Sequence, residues 1–182
     1  MKARAEARVA RMILSADRDP RLITVRRGGT LLDDDHHLLA LWAADCAEHV
    51  LHHFERVRPD DHRPRQAIGD THAWVRGELR MSDARKAAFA SNAAAREVSG
   101  AARFAALAAG QAAAVAHVAA HELGAAANAI RAAREAAPEG ERDAAARKEC
   151  RWQREHLPDE VRDLVIDDQR QRNDICWGVF TC

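Results

Sequence analysis

The stretch Ala101–Ala137, AARFAALAAGQAAAVAHVAAHELGAAANAIRAAREAA, decides the fold. Alanine carries the highest helix propensity and no proline interrupts the run. At 1.5 Å per residue it predicts one helix of about 55 Å, with Gly110 and Gly124 permitting a kink or a close helix contact. A polar line runs along it. At 100° per residue His117, His121 and Asn128 fall within about 40° of one another, with Arg103, Gly110 and Gly124 on or beside the same line. Methyl side chains contribute little burial energy each, so a segment this small on every side is expected to be enclosed by other helices. The expected fold class is all-α: a single multi-helix bundle with a long Ala-rich central helix.

Outward from that segment the helix signals repeat. Asp33, Asp34 and Asp35 supply an N-cap and first-turn acids for a helix over Leu38–Val57, which Pro59-Asp60-Asp61 ends. A second is predicted from Pro64 to Leu79, and Ser82-Asp83 caps a third that stops near Ser99-Gly100. Beyond Pro138-Glu139-Gly140 a further helix covers Arg142–His156, and Pro158 opens a last one. No period-two alternation recurs, so sheet folds lose, and the Ala-rich blocks share no fixed repeat period. The first 20 residues read as a short basic helix stopped at Asp19-Pro20, and Leu22–Val25 is too short to found a sheet. The chain therefore divides into an arm over 1–21, a helical domain over 22–166 and a tail over 167–182, whose end DICWGVFTC has no predicted place.

Composition limits the function classes. Apolar residues make up 47% and charged residues 31%, yet the formal net charge is +0, so overall charge draws the chain to neither nucleic acid nor an anionic membrane. Aromatics are 4% with no tyrosine, which removes most stacking platforms for single strands. Neither a signal-peptide core nor a spanning apolar run is present, and the expected location is the cytoplasm. Cys46, Cys150, Cys176 and Cys182 have no CxxC spacing, and in a reducing compartment they are expected to be free thiols.

Two helical pairs carry the chemical reading. Asp45 with His49 and His117 with His121 are each spaced i, i+4, and two helices presenting such pairs can share a metal ion inside a bundle. Against that, Glu122 follows His121, whereas the zincin HExxH motif places glutamate directly after its first histidine, and the ExxH pairs of di-iron bundles are missing. The favoured reading makes the imidazoles hydrogen-bonded core groups, with His117, His121 and Asn128 bonded to the Asp45 helix. His36-His37 and His52-His53 are expected in solvent. Cys46 reads as a small core thiol and no nucleophile, while Trp42, Trp74 and Trp152 read as packing anchors. No cofactor is implied.

Five strings occur in order: LLALWAADCAEHVLHHFE (38–55), RPRQAIGDTHAWVRGEL (63–79), ARKAAFASNAAARE (84–97), AVAHVAAHELGAAANAI (114–130) and WQREHLPDEVRDLV (152–165). Together they resemble a family of small helical bacterial proteins described as putative immunity proteins of polymorphic toxin systems, over roughly residues 22–165. The resemblance implies an all-α domain that binds and neutralises a cognate protein toxin by occluding it, with no catalytic residues. Its polar markers map onto Asp45, Cys46, Trp74, Arg76, Arg96, His117, His121, Trp152 and Gln153. The chain departs from the pattern at His49, His52, His53 and Asn128, so that histidine cluster is particular to this member. The expected site is thus a polar core or pocket of Asp45, Cys46, His49, Trp74, His117, His121, Asn128 and Trp152. A metal-dependent helical-bundle enzyme, a hydrolase with Asp45, His49, His117 and His121 as ligands, is the alternative, and a purely structural bundle is a third reading. Toxin identity, binding face and a homodimer stay open.

Overall fold

In the computed structural model the described residues are 18–182. The basic helix expected in the first 20 residues lies almost wholly outside them. Among the described residues there are seven α-helices and no strand: α1 (Asp33–Glu55), α2 (Arg63–Val75), α3 (Met81–Arg96), α4 (Gly100–Ala114), α5 (Glu122–Ala136), α6 (Arg142–Glu155) and α7 (Asp159–Arg172). The all-α expectation holds. The segment Leu22–Val25 becomes part of two 3-10 turns, Pro20–Leu22 and Val25–Arg27, with an isolated bridge between Thr24 and Leu31 in place of a strand.

The single long central helix does not form. The chain leaves the helix after Ala114 and re-enters through a 3-10 turn over Ala119–His121, so α5 folds back against α4. β-Branched Val115 and Val118 are weak helix formers, and Val118 adopts extended φ/ψ of −145° and 108°. Folding back lets both Ala-rich faces be buried at once. The break frees carbonyls that a continuous helix would have bonded, and other elements supply their donors. His36 Nε2 of α1 donates to the Val115 carbonyl at 2.7 Å, Arg27 Nη1 to that of His117 at 2.9 Å, and Arg172 Nη1 of α7 to that of Ala120 at 3.0 Å.

The central position belongs to α4, which touches α1, α2, α3 and α5. Small residues set how close the helices come. A Cβ on Gly110 would lie 2.5 Å from Asn92 Oδ1 and 3.1 Å from the Ala88 carbonyl oxygen, so α3 and α4 meet there in near backbone contact. Larger groups fill the outer core, among them Trp42, Phe54, Leu39, Leu51, Leu123 and Ile130, all fully buried. The three aspartates expected to cap and open α1 all stand in its first turn, where they complement the helix dipole, and the N-cap is Leu32.

The tail is a docked strap. α7 continues through residue 167 to Arg172, and the chain then returns to α6, where Cys182 forms a disulfide with Cys150. Two of the four thiols expected free are therefore bonded; Cys46 and Cys176 are free and buried. Spacing gives no sign of that pair, because it forms across 32 residues between a helix and a tail whose position depends on packing. Arg131 of α5 is sandwiched between Phe104 at 3.9 Å and Trp177 at 4.1 Å, which fixes the strap to the α4–α5 hairpin.

Candidate functional site

The expected site residues separate into two places. On one side α1 carries Asp45 and His49 at the surface and Cys46 in the core. His49 Nδ1 bonds Glu149 Oε2 of α6 at 2.8 Å, and its ring lies flat on Trp152, with centroids 3.7 Å apart and planes 7° apart. His156 stacks on Trp152 at 4.2 Å. Glu149 Oε1 accepts from buried Gln153 Nε2, whose backbone carbonyl accepts from Trp42 Nε1 at 2.9 Å. These bonds link α1 to α6, and the buried Gln153 Oε1 has no hydrogen-bond partner among the described residues. Shielding from water raises the Asp45 carboxyl above its ordinary range, against the pull of His72 and His156. Full burial raises the Cys46 thiol well above the ordinary range, which favours its protonated form.

On the other side lies the α4–α5 connection, and here the stripe on one helix is corrected. His117 sits in the connecting loop, His121 closes the 3-10 turn and Asn128 is inside α5. None of them bonds the Asp45 helix. His121 Nδ1 donates to Gln111 Oε1 of α4 at 2.7 Å, and Asn128 Nδ2 donates to the Gly124 carbonyl at 2.8 Å. Gly124 is small for a reason: a Cβ there would stand 2.5 Å from Gln111 Oε1 and displace the bond to His121. Burial first, then the charges of His117, Arg172 and Arg18, push His121 down to about 4. Burial likewise lowers His117, with Arg85, Arg27 and Arg18 acting in the same direction. His36, expected in solvent, is buried and lowered by burial, its Nε2 proton fixed on the Val115 carbonyl.

His117 and half-buried Trp74 line a cleft of about 460 Å³, walled by the 3-10 turns before α1, the end of α2, the start of α3 and the α4–α5 connection. His36 and His37 pack edge-on against Trp74, each with centroids 5.0 Å away. Of the expected residues, Trp74 and His117 line this cleft, and His49 and Trp152 line a second one of about 400 Å³ with His52, His53 and Glu149. Asn128 and Cys46 belong to the core.

The metal alternative required Asp45, His49, His117 and His121 to converge, and they do not. The first pair faces His72, His156 and Glu149, the second faces Gln111 and the basic cleft. Among the described residues no group of three or more His, Cys, Asp or Glu side chains is placed to hold an ion.

Sequence reasoning missed a third constellation. Glu122, Asp168 and Arg172 are all buried, with Arg172 Nε donating to Asp168 Oδ1 at 2.6 Å, Nη2 to Asp168 Oδ2, and Nη2 to both Glu122 oxygens at 3.4 Å. One guanidinium faces two carboxylates. Burial and then the Asp168 charge push Glu122 well above the carboxylate range, so it keeps its proton. The only signal was the i, i+4 spacing of Asp168 and Arg172, which is common on solvated helices.

Residues 29–160 match the family model described as Imm-5 like putative immunity protein. No curated protein and no solved structure gives a significant match. The matched span takes in α1–α6 and ends at the start of α7, while Arg18, Leu22, Arg26 and Arg27, which wall one side of the cleft, lie before it.

Proposed function

The chain belongs to the Imm-5 like immunity-protein family, and from that premise we propose that it binds a cognate bacterial toxin and neutralises it by occlusion, without catalysis of its own. Family membership is the observation that carries the reading. Several of the side chains that could have suggested chemistry are engaged inside the fold, His121 with Gln111 and His49 with Glu149 and Trp152, and the Cys46 thiol is buried. Asp45, by contrast, is exposed, and His117 lines the cleft with its buried Nδ1 making no hydrogen bond among the described residues. Close small-residue contacts between the helices favour a preformed surface, which limits the ordering cost of association. A stable complex needs a patch of about 800 Å² per partner. No helix among the described residues is long and apolar enough to cross a membrane, and the proposed place of action is the bacterial cytoplasm.

The test is co-expression with the toxin encoded beside the gene. The expected result is a co-purifying complex and survival of cells that the toxin alone kills. Killing that proceeds unchanged, with no complex on size exclusion, refutes the proposal.

A further inference from the structure

The cleft at the α4–α5 connection has a charge the chain as a whole lacks. Overall, 28 basic residues balance 28 acidic ones. The described lining of the cleft holds Arg18, Arg26 and Arg27 together with His36 and His117, and no carboxylate. Arg26 pairs with Asp33 at the surface at 2.8 Å, and Arg27 gives one nitrogen to the His117 carbonyl, leaving further guanidinium donors on that wall. The lowering of His117 by Arg85, Arg27 and Arg18 agrees with a positive field across the opening.

Beneath this rim the floor is apolar, formed by Leu22, Ala116, Ala119 and one side of Trp74. The apolar character continues outside. Met81 at the mouth is 37% exposed, and Met81, Arg85 and Phe89 follow at i, i+4 and i+8 along α3, with Phe89 61% exposed and the Arg85 guanidinium 5.4 Å above its ring. Tryptophan, phenylalanine, methionine and arginine are the residues enriched at protein interfaces, and lysine is depleted there. No lysine lines this cleft among the described residues. Solvated charges alone would not need an apolar floor, and an apolar ligand alone would not suit three arginines.

We propose that this cleft docks an acidic segment of the partner protein, its carboxylates on Arg18, Arg26 and Arg27 and an apolar side chain seated over Leu22, Ala116 and Trp74. The Met81–Arg85–Phe89 stripe carries the contact outward along α3. Arginine suits carboxylates through paired N–H donors, and complementary charge speeds the encounter in a salt-dependent way. The inference rests on the protein-binding reading above and names the chemistry of its partner.

Two measurements on the full chain test it. The first titrates the acidic peptide acetyl-Leu-Glu-Asp-Leu-Glu-amide, and its lysine counterpart, into the protein while following the Trp74 indole N–H by NMR. The second measures affinity for the neighbouring-gene toxin in the wild type, in R18E/R26E/R85E and in the milder R18Q/R26Q/R85Q. Arg27 is spared because it holds the connecting loop. The expected results are a Trp74 shift with the acidic peptide alone, and toxin affinity at least 100-fold weaker in the charge-reversed variant with unchanged thermal melting. Toxin binding that is equal in the wild type and both variants overturns the docking site and leaves the proposed function standing. A Trp74 shift without any toxin binding by the wild type supports the acidic site and overturns the proposed function. Neither a shift nor toxin binding overturns both.

Discussion

Glu122→Gln isolates the buried ionic cluster between α5 and α7. Glu122 has no exposed surface, and it shares Arg172 with Asp168, so only one of the two carboxylates is neutralised by the guanidinium. Burial and the Asp168 charge hold the Glu122 proton in the folded state. A carboxyl whose folded value lies above its unfolded one keeps a proton that the unfolded chain releases, so stability falls as pH rises above the unfolded value of about 4.5. The slope approaches one proton, about 1.4 kcal/mol per pH unit, until the folded group itself ionises. Glutamine has the same shape, keeps a donor for Asp168 and has nothing to ionise. Urea unfolding of both proteins at pH 5, 6, 7 and 8 is therefore expected to give curves that diverge with pH, the variant becoming the more stable at the alkaline end. Comparing the two proteins cancels the remaining titrating groups. Parallel stability curves, or a variant that loses ground as pH rises, would refute a protonated Glu122.

Three further outcomes follow from the packing. Cys182→Ser opens a covalent loop of sequence separation 32, which is expected to cost about 2–4 kcal/mol; dithiothreitol should bring the wild type to the same melting temperature, and a melt insensitive to reductant contradicts the clasp. Gly110→Ala places a Cβ 2.5 Å from Asn92 Oδ1 and 3.1 Å from the Ala88 carbonyl. Overpacking of about 1–3 kcal/mol should outweigh the helix-propensity gain of about 1 kcal/mol, and Asn92→Ala in the same chain should recover part of the loss in urea titrations. His121, pushed down to about 4, contributes stability that is complete above about pH 6.5 and is lost as pH falls towards 4. Its imidazole C–H shifts by NMR should stay flat from pH 8 to about pH 5, and a midpoint near 6.5 would contradict its burial against Gln111.

Much of the helical frame was legible because local signals and tertiary packing agree. Pro59, Pro138 and Pro158 separate helices, the acids Asp33–Asp35 stand in a first turn and α6 lies where predicted. By contrast α2 stops at Val75, short of Leu79, and α3 has Arg80 at its N-cap with Ser82 and Asp83 already in its first turn. Of the two roles that Gly110 and Gly124 left open, a kink or a close contact, the structure shows close contact at both. The candidate site was less legible. Spacing put Asp45 and His49 on one surface of α1, yet it could not say that Glu149 and Trp152 of α6 would meet His49. His36 looked solvated as one of a histidine pair near a helix start, and is buried because a broken helix elsewhere left the Val115 carbonyl in need of a donor.

Composition and periodicity by themselves determined that this chain is all-α and that its alanine-rich half forms the centre, because helix propensity and residue size are local properties. The turn of that half back on itself was a tertiary decision. A continuous helix satisfies every internal carbonyl and is locally at least as good, but it would leave one Ala-rich face without a partner. Folding back buries both faces, and the freed carbonyls of Val115, His117 and Ala120 are bonded by His36, Arg27 and Arg172, residues 52 to 90 positions away along the chain. Only the assembled bundle brings those donors together, and the same meeting of the connection, the 3-10 turns and α2–α3 shapes the basic cleft.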